Sequence, residues 1–112
     1  MTQAASRGVG NLLRDLPDAR GGEVFETLLS RPGVRIERIV SLGQVTPVDS
    51  PYREPQDEWV LLVAGAARLA IDGQGERALA AGDFELIPAG IEHRVTWTDP
   101  AQATIWLAVH IG

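Results

Sequence analysis

The sequence predicts an all-β domain, a sandwich or barrel, on three observations. From Glu58 onward, turn signals recur about every ten residues. The segments between them are short and apolar, and the stretch before them carries β-branched residues at Val34, Ile36, Ile39 and Val40. No segment after residue 30 sustains a helical period. The chain has 112 residues, enough for one core and too few for two. A single domain is expected over 21–112, preceded by an N-terminal arm over 1–20.

The elements follow in order. MTQAASRGVG is small and polar, as a mobile arm is, and Pro17 with Gly21-Gly22 marks the loop that ends it. EVFETLLS is too short to separate helix from strand by period. RPGVRIERIVSLG reads as a strand entered through the Pro32-Gly33 turn. QVTPVDSPYREPQDE carries prolines at 47, 51 and 55, so it is a surface loop or a bulged edge strand. EWVLLVA, ARLAI and ERALA are strands, separated by Gly65 and by the Asp-Gly hairpin turn of DGQG. FELI, HRVTW and TIWLAVH complete the set, separated by PAGIE and TDPAQ.

Strand neighbours alternate faces. With Glu58 inward, Val60 and Leu62 also point inward, and Trp59, Leu61 and Val63 point outward, although they are apolar too. The last strand repeats this, with Thr104, Trp106 and Ala108 on one face and Ile105, Leu107 and Val109 on the other. A strand apolar on both faces needs a cover on each. The surplus outward stripe predicts a homodimer.

Composition narrows the classes of partner. The net charge is −5, and the ten basic residues are all arginines scattered along the chain, so no nucleic-acid face is expected. With no cysteine, disulfides, zinc ribbons and thiol catalysis are excluded. The first residues lack the apolar core of a signal peptide, and WVLLVAGAARLAI is broken by Arg68 before it could span a bilayer. The expectation is a cytoplasmic protein without a membrane segment.

The chemistry lies in GDFELIPAGIEHRV. Gly82, Pro88, Gly90 and His93 fit the spacing G-x5-P-x-G-x2-H, which resembles the second signature motif of the cupin superfamily. Glu58, followed by six residues and Gly65, fits the end of the first cupin motif. Tyr52 and Glu54 then take the places of that motif's two histidines, and Gly43 stands eight residues before Tyr52 rather than five. The resemblance covers roughly residues 34–109. It implies a jelly-roll, or double-stranded β-helix, barrel with a central pocket. It also implies a divalent metal (iron, manganese, zinc or nickel) held by Glu58 and His93, with Glu54 and Tyr52 in the substituted positions.

The residues also speak for themselves. Positions 52, 54 and 58 share one parity, and His93 follows a turn with little backbone freedom, with Val95 and Trp97 on its side. Glu58 and His93 are therefore the candidate catalytic residues, and Trp97 is the expected pocket wall. Other readings stand beside these: His93 as a buried histidine bonded to Glu58, Glu58 paired with Arg53 or Arg94, Glu54 as a solvated charge, and His110 as a solvated chain end. Two functions follow. One is a barrel that binds a small polar metabolite as a metal-dependent dioxygenase, isomerase or lyase. The other is a metal-free ligand-binding or structural barrel with a vestigial site. The fold alone does not choose between them.

Overall fold

The computed structural model describes residues 8–112 as eight antiparallel strands, with no helix among the described residues. In chain order these are β1 (Val24–Arg31), β2 (Val34–Ser41), β3 (Asp57–Ala64), β4 (Ala66–Ile71), β5 (Gly75–Ala80), β6 (Phe84–Ile87), β7 (His93–Thr98) and β8 (Thr104–Ile111). They form a five-stranded sheet in the order β1-β2-β8-β3-β6 and a three-stranded sheet in the order β5-β4-β7. EVFETLLS is thus strand, not helix. It pairs along β2 through the Pro32-Gly33 turn, where tertiary pairing decides what period could not. No helix is long and apolar enough to cross a membrane among the described residues.

The alternation in β3 and β8 places the core. Val60, Leu62, Trp106 and Ala108 project from the large sheet onto Leu69 and Ile71 of the small one, and all are buried. The two sheets join at one edge, where Arg77 of β5 forms an ion pair with Glu85 of β6. At another junction β3 turns tightly into β4. Gly65 has φ +92°, and a Cβ there would stand 2.6 Å from the Thr104 backbone, so only glycine lets the chain pass.

The outward stripe is covered at one end. The first seven residues of the expected arm lie outside the described residues. Of its remainder, the stretch 12–19 runs beside β2. Arg38, buried on the outer face, donates to the carbonyls of Leu12, Arg14 and Asp15 and to Glu26. Gln44 adds a bond to the Ala19 carbonyl at 2.7 Å. These bonds satisfy backbone carbonyls that no strand partner reaches.

Candidate functional site

Between the sheets, beside the apolar core, lies a cavity of about 240 Å³. Its polar wall begins with a row across the large sheet. Arg35 on β2 pairs with His110 on β8, and His110 pairs with Glu58 on β3. Side chains so opposed stand close enough to interact. His93, at the start of β7, faces the row from the small sheet, with its Nε2 3.4 Å from Glu58 Oε1. Glu23 and Glu37 close the wall on the β1–β2 side. Val60, Leu69, Ile87 and Val95 add apolar lining, joined by Phe25 and Trp106.

The proline-rich loop positions Tyr52. It is one bridge of an edge rather than a free loop, because Tyr52 and His93 exchange backbone hydrogen bonds of 2.9 Å in both directions. The Tyr52 ring consequently stacks on the imidazole, with centroids 5.5 Å apart and planes at 25°. Glu54, two residues on, also borders the cavity. Its backbone carbonyl accepts from the Gly90 amide, which ties the loop to the Pro88-Ala89-Gly90 turn before His93.

His93 is buried, and both of its nitrogens face acceptors. Nδ1 is 3.3 Å from the Ile91 carbonyl, and Nε2 meets Glu58. Burial alone would disfavour the charged ring, but the hydrogen bond to Glu58, its charge, the Ile91 carbonyl and the Glu54 charge together outweigh it. The pKa therefore lies above its usual value. The Tyr52 phenol is pushed up by burial and then by the charges of Glu23, Glu58, Glu54 and Glu37. Burial also raises the Glu23 carboxyl, against a pull from the Ser41 hydroxyl, which donates to it at 2.5 Å.

The expected site residues do not all arrive where the sequence places them. Tyr52, Glu54, Glu58 and His93 border one cavity. They do not, however, form a metal centre: among the described residues no group of three or more His, Asp or Glu side chains is arranged to hold an ion. Glu58 is engaged with His93, and the Tyr52 ring is stacked on the imidazole. The donor set thus does not fit the iron, manganese, zinc or nickel ion that the motif resemblance implies.

Trp97 is a second correction. It lies outside the cavity and is 40% exposed. Arg68 pairs with Trp97 but Leu69 pairs with Val95, so β7 carries one extra residue, Thr96. That bulge reverses the parity beyond it and turns Thr98 inward in place of Trp97.

His110 is a third. It is not a solvated chain end but 3% exposed and on the cavity wall, with Nε2 2.9 Å from Glu37 Oε1. The sequence did hold a signal for it, since His110 shares the parity of Trp106 and Ala108. Arg35 and Glu37 likewise share the parity of Ile39, which faces the same cavity.

Known proteins show the same architecture. The family model described as "Cupin domain" matches residues 39–110. A solved structure from Ralstonia eutropha JMP134, provisionally named a mannose-6-phosphate isomerase, is 45% identical with a TM-score of 0.88; the match covers 93% of this chain and 97% of that one. A protein of unknown function from Streptococcus pyogenes is 24% identical, with a TM-score of 0.75 over 95% of this chain and 88% of that one. An RmlC-like cupin from Methanocaldococcus jannaschii, with a double-stranded β-helix fold, is 18% identical, with a TM-score of 0.70 over 93% and 89%. The last two resemblances concern the fold alone. A search of curated proteins returned no match.

Proposed function

Because the chain belongs to the cupin family, we propose that it uses its barrel to bind a small polar metabolite and to move a proton on it, in the manner of an isomerase. The observation that carries this reading is the His93–Glu58 pair, buried on the wall of the cavity with a proton to share across 3.4 Å. The provisional name of the Ralstonia protein supports the reaction class.

The chemistry needs only these two groups. The Glu58 carboxylate accepts a proton from a carbon next to a substrate carbonyl, while His93 Nε2–H donates to the carbonyl oxygen. In the enediol so formed, the hydroxyl on the deprotonated carbon gives its proton to His93 Nε2 while Glu58 delivers its proton to the former carbonyl carbon. The carbonyl has then moved by one position, protons balance, and no oxidant or reductant is consumed. Tyr52, stacked on the ring and bonded to its backbone, fixes the imidazole. The apolar wall keeps the pair partly dry, which strengthens the interaction.

Solvent exchange tests the proposal. With a panel of aldoses, ketoses and amino ketones in D2O, the wild-type chain is expected to incorporate deuterium beside a carbonyl. His93→Gln and Glu58→Gln should lose that activity and remain folded. If NMR shows members of the panel binding in the barrel with no exchange, the chain is a binding module and the catalytic part of the proposal fails.

A further inference from the structure

The proposed isomerisation handles two oxygens, and the pair that carries it holds one imidazole. A carbonyl oxygen must gain a proton and the neighbouring hydroxyl must lose one. With His93 alone, a single ring has to serve both oxygens in turn. A second imidazole stands next to the pair. Glu58 has His93 facing it from the small sheet and His110 beside it on the adjacent strand, its partner in the β3–β8 ladder.

His110 has the surroundings of an acid–base group. Its side chain is more than nine-tenths buried on the cavity wall. Nε2 is 2.9 Å from Glu37 Oε1. A carboxylate there holds a hydrogen on Nε2 in the neutral ring and in the charged ring alike. Nδ1 is therefore the atom at which a proton comes and goes, whichever state the ring starts from. Among the described residues, Nδ1 has no hydrogen-bond partner. A histidine kept only for structure finds partners for both nitrogens as a rule.

The next strand supplies the complement. Arg35 on β2 pairs with His110 in the ladder, and its Nε is the other buried side-chain atom without a hydrogen-bond partner among the described residues. Nε stands 3.6 Å from Glu37 Oε2, too far for a hydrogen bond. The two unpartnered residues thus flank one carboxylate, Arg35 at Oε2 and His110 at Oε1. Arg35 Nε–H can only donate, whereas His110 Nδ1 accepts when the ring is neutral and donates when it is charged. One substrate oxygen meets both requirements in both states. As a hydroxyl it accepts from Arg35 and donates to the neutral ring. As the carbonyl it becomes, it accepts from Arg35 and from the charged ring.

We infer that His110 is a second acid–base residue of the cavity, acting through Nδ1 on the hydroxyl oxygen of an α-hydroxy aldehyde or ketone, and that Arg35 Nε holds that oxygen. This role rests on the isomerase reading above and replaces one transfer in it. Glu58 takes the proton from the hydroxyl-bearing carbon, and His93 Nε2–H gives one to the carbonyl oxygen. In the enediol, the hydroxyl on the deprotonated carbon gives its proton to His110 Nδ1 instead of His93, while Glu58 delivers its proton to the former carbonyl carbon. One C–H bond breaks and one forms, and one O–H bond forms and one breaks. A proton has then passed from His93 to His110. Exchange with water resets the pair, or the reverse reaction does so with the charged His110 as the acid. Glu37 holds the ring and stabilises its charge as the proton arrives.

Deuterium exchange and conversion, followed together on the full chain, separate the two halves of this scheme. His110→Gln keeps Glu58 and His93, so it should still bring deuterium into the starting aldose or ketose, within about threefold of the wild-type rate. Conversion to the isomer should fall about 100-fold or more. Equal losses of exchange and conversion mark a merely structural ring, and undiminished conversion marks an idle one. Either result overturns the inference and leaves the isomerase reading intact. Arg35→Gln should raise KM for conversion, and an unchanged KM overturns the part given to Arg35. Nitrogen-15 NMR of the wild-type imidazoles gives a readout independent of turnover. Across a pH titration, His110 Nε2 should stay protonated and Nδ1 should be the nitrogen that gains the proton. A neutral ring with its hydrogen on Nδ1 overturns the inference, even where His110→Gln fails to fold. A wild-type chain that exchanges no member of the panel sinks the isomerase reading and takes this role of His110 with it.

Discussion

His93 sits where two opposing effects meet. Burial disfavours its charge, while Glu58, the Ile91 carbonyl and Glu54 favour it and prevail, so its pKa in the folded chain lies above the ordinary 6.5. The sign of the linkage follows. A group whose pKa is raised by folding adds stability that is complete below its unfolded pKa and is lost as pH rises through the folded value. The melting temperature of the wild-type chain should therefore fall as pH climbs above about 6.5, and the pH slope of His93→Gln should be shallower there. Parallel slopes in thermal melts would show that the pair contributes no such coupling. His93 was legible in the sequence because two glycines and a proline at fixed spacing announce the turn that aims it. Glu58 was legible by parity. Glu23 and Glu37 were not, because a glutamate in a strand reads as a solvated face until its partner across the barrel is known. His110 hid behind its nearness to the chain end, although the parity of Trp106 pointed to it.

At the scale of the strand, β7 shows how one residue redirects another. Strict alternation from His93 would send Trp97 into the cavity, but Thr96 is extra in the pairing with β4 and the tryptophan emerges on the outside. Trp106, on the regular stretch of β8 opposite Leu62, stays inside at 4% exposure. The two tryptophans should therefore answer truncation differently. Trp106→Ala is expected to cost about 3–5 kcal/mol, the range for emptying a core site of that size. Trp97→Ala should cost less than about 1 kcal/mol, as a substitution on an exposed face does. Urea unfolding of both variants measures this, and equal costs would contradict the bulge. Turn chemistry made the strands readable: FELI coincides with β6, and the Asp-Gly and Pro-Gly turns bracket β4–β5 and β1–β2 as their types require. Bulges leave no comparable mark. Thr96 in β7 and Val63 in β3 look like any other strand residues, and only the partner's register reveals the slip. EVFETLLS stayed ambiguous for the same reason, since pairing with β2 and not its own period makes it a strand.

At the scale of the molecule, the outer face of the large sheet remains to be explained. Trp59 and Leu61 on β3 point away from the barrel core, and Phe84 and Leu86, their partners on β6, are more than half exposed. Trp59 and Phe84 already meet, with ring centroids 5.5 Å apart. Leu107 and Val109 of β8 continue the stripe beside them. The stretch 12–19, held by Arg38 and Gln44, lies near the β2 side and leaves the β3–β6 side open. A contiguous apolar surface of this kind is seldom left to water in a lone chain. We propose that a second copy covers it in a closed two-fold dimer, the commonest way for a chain to bury a self-complementary face. The amphipathic alternative, a charged edge that keeps copies apart, is missing at Phe84 and Leu86, where a lysine or glutamate would be the usual guard. Light scattering at micromolar concentration should then give twice the chain mass of 12.1 kDa. Leu61→Glu, placed at the centre of the stripe and half-buried in the single chain, should return the mass to one chain without unfolding the barrel, because its side chain does not reach the core between the sheets. A wild-type mass of one chain would refute the dimer, and so would a Leu61→Glu variant that keeps the doubled mass.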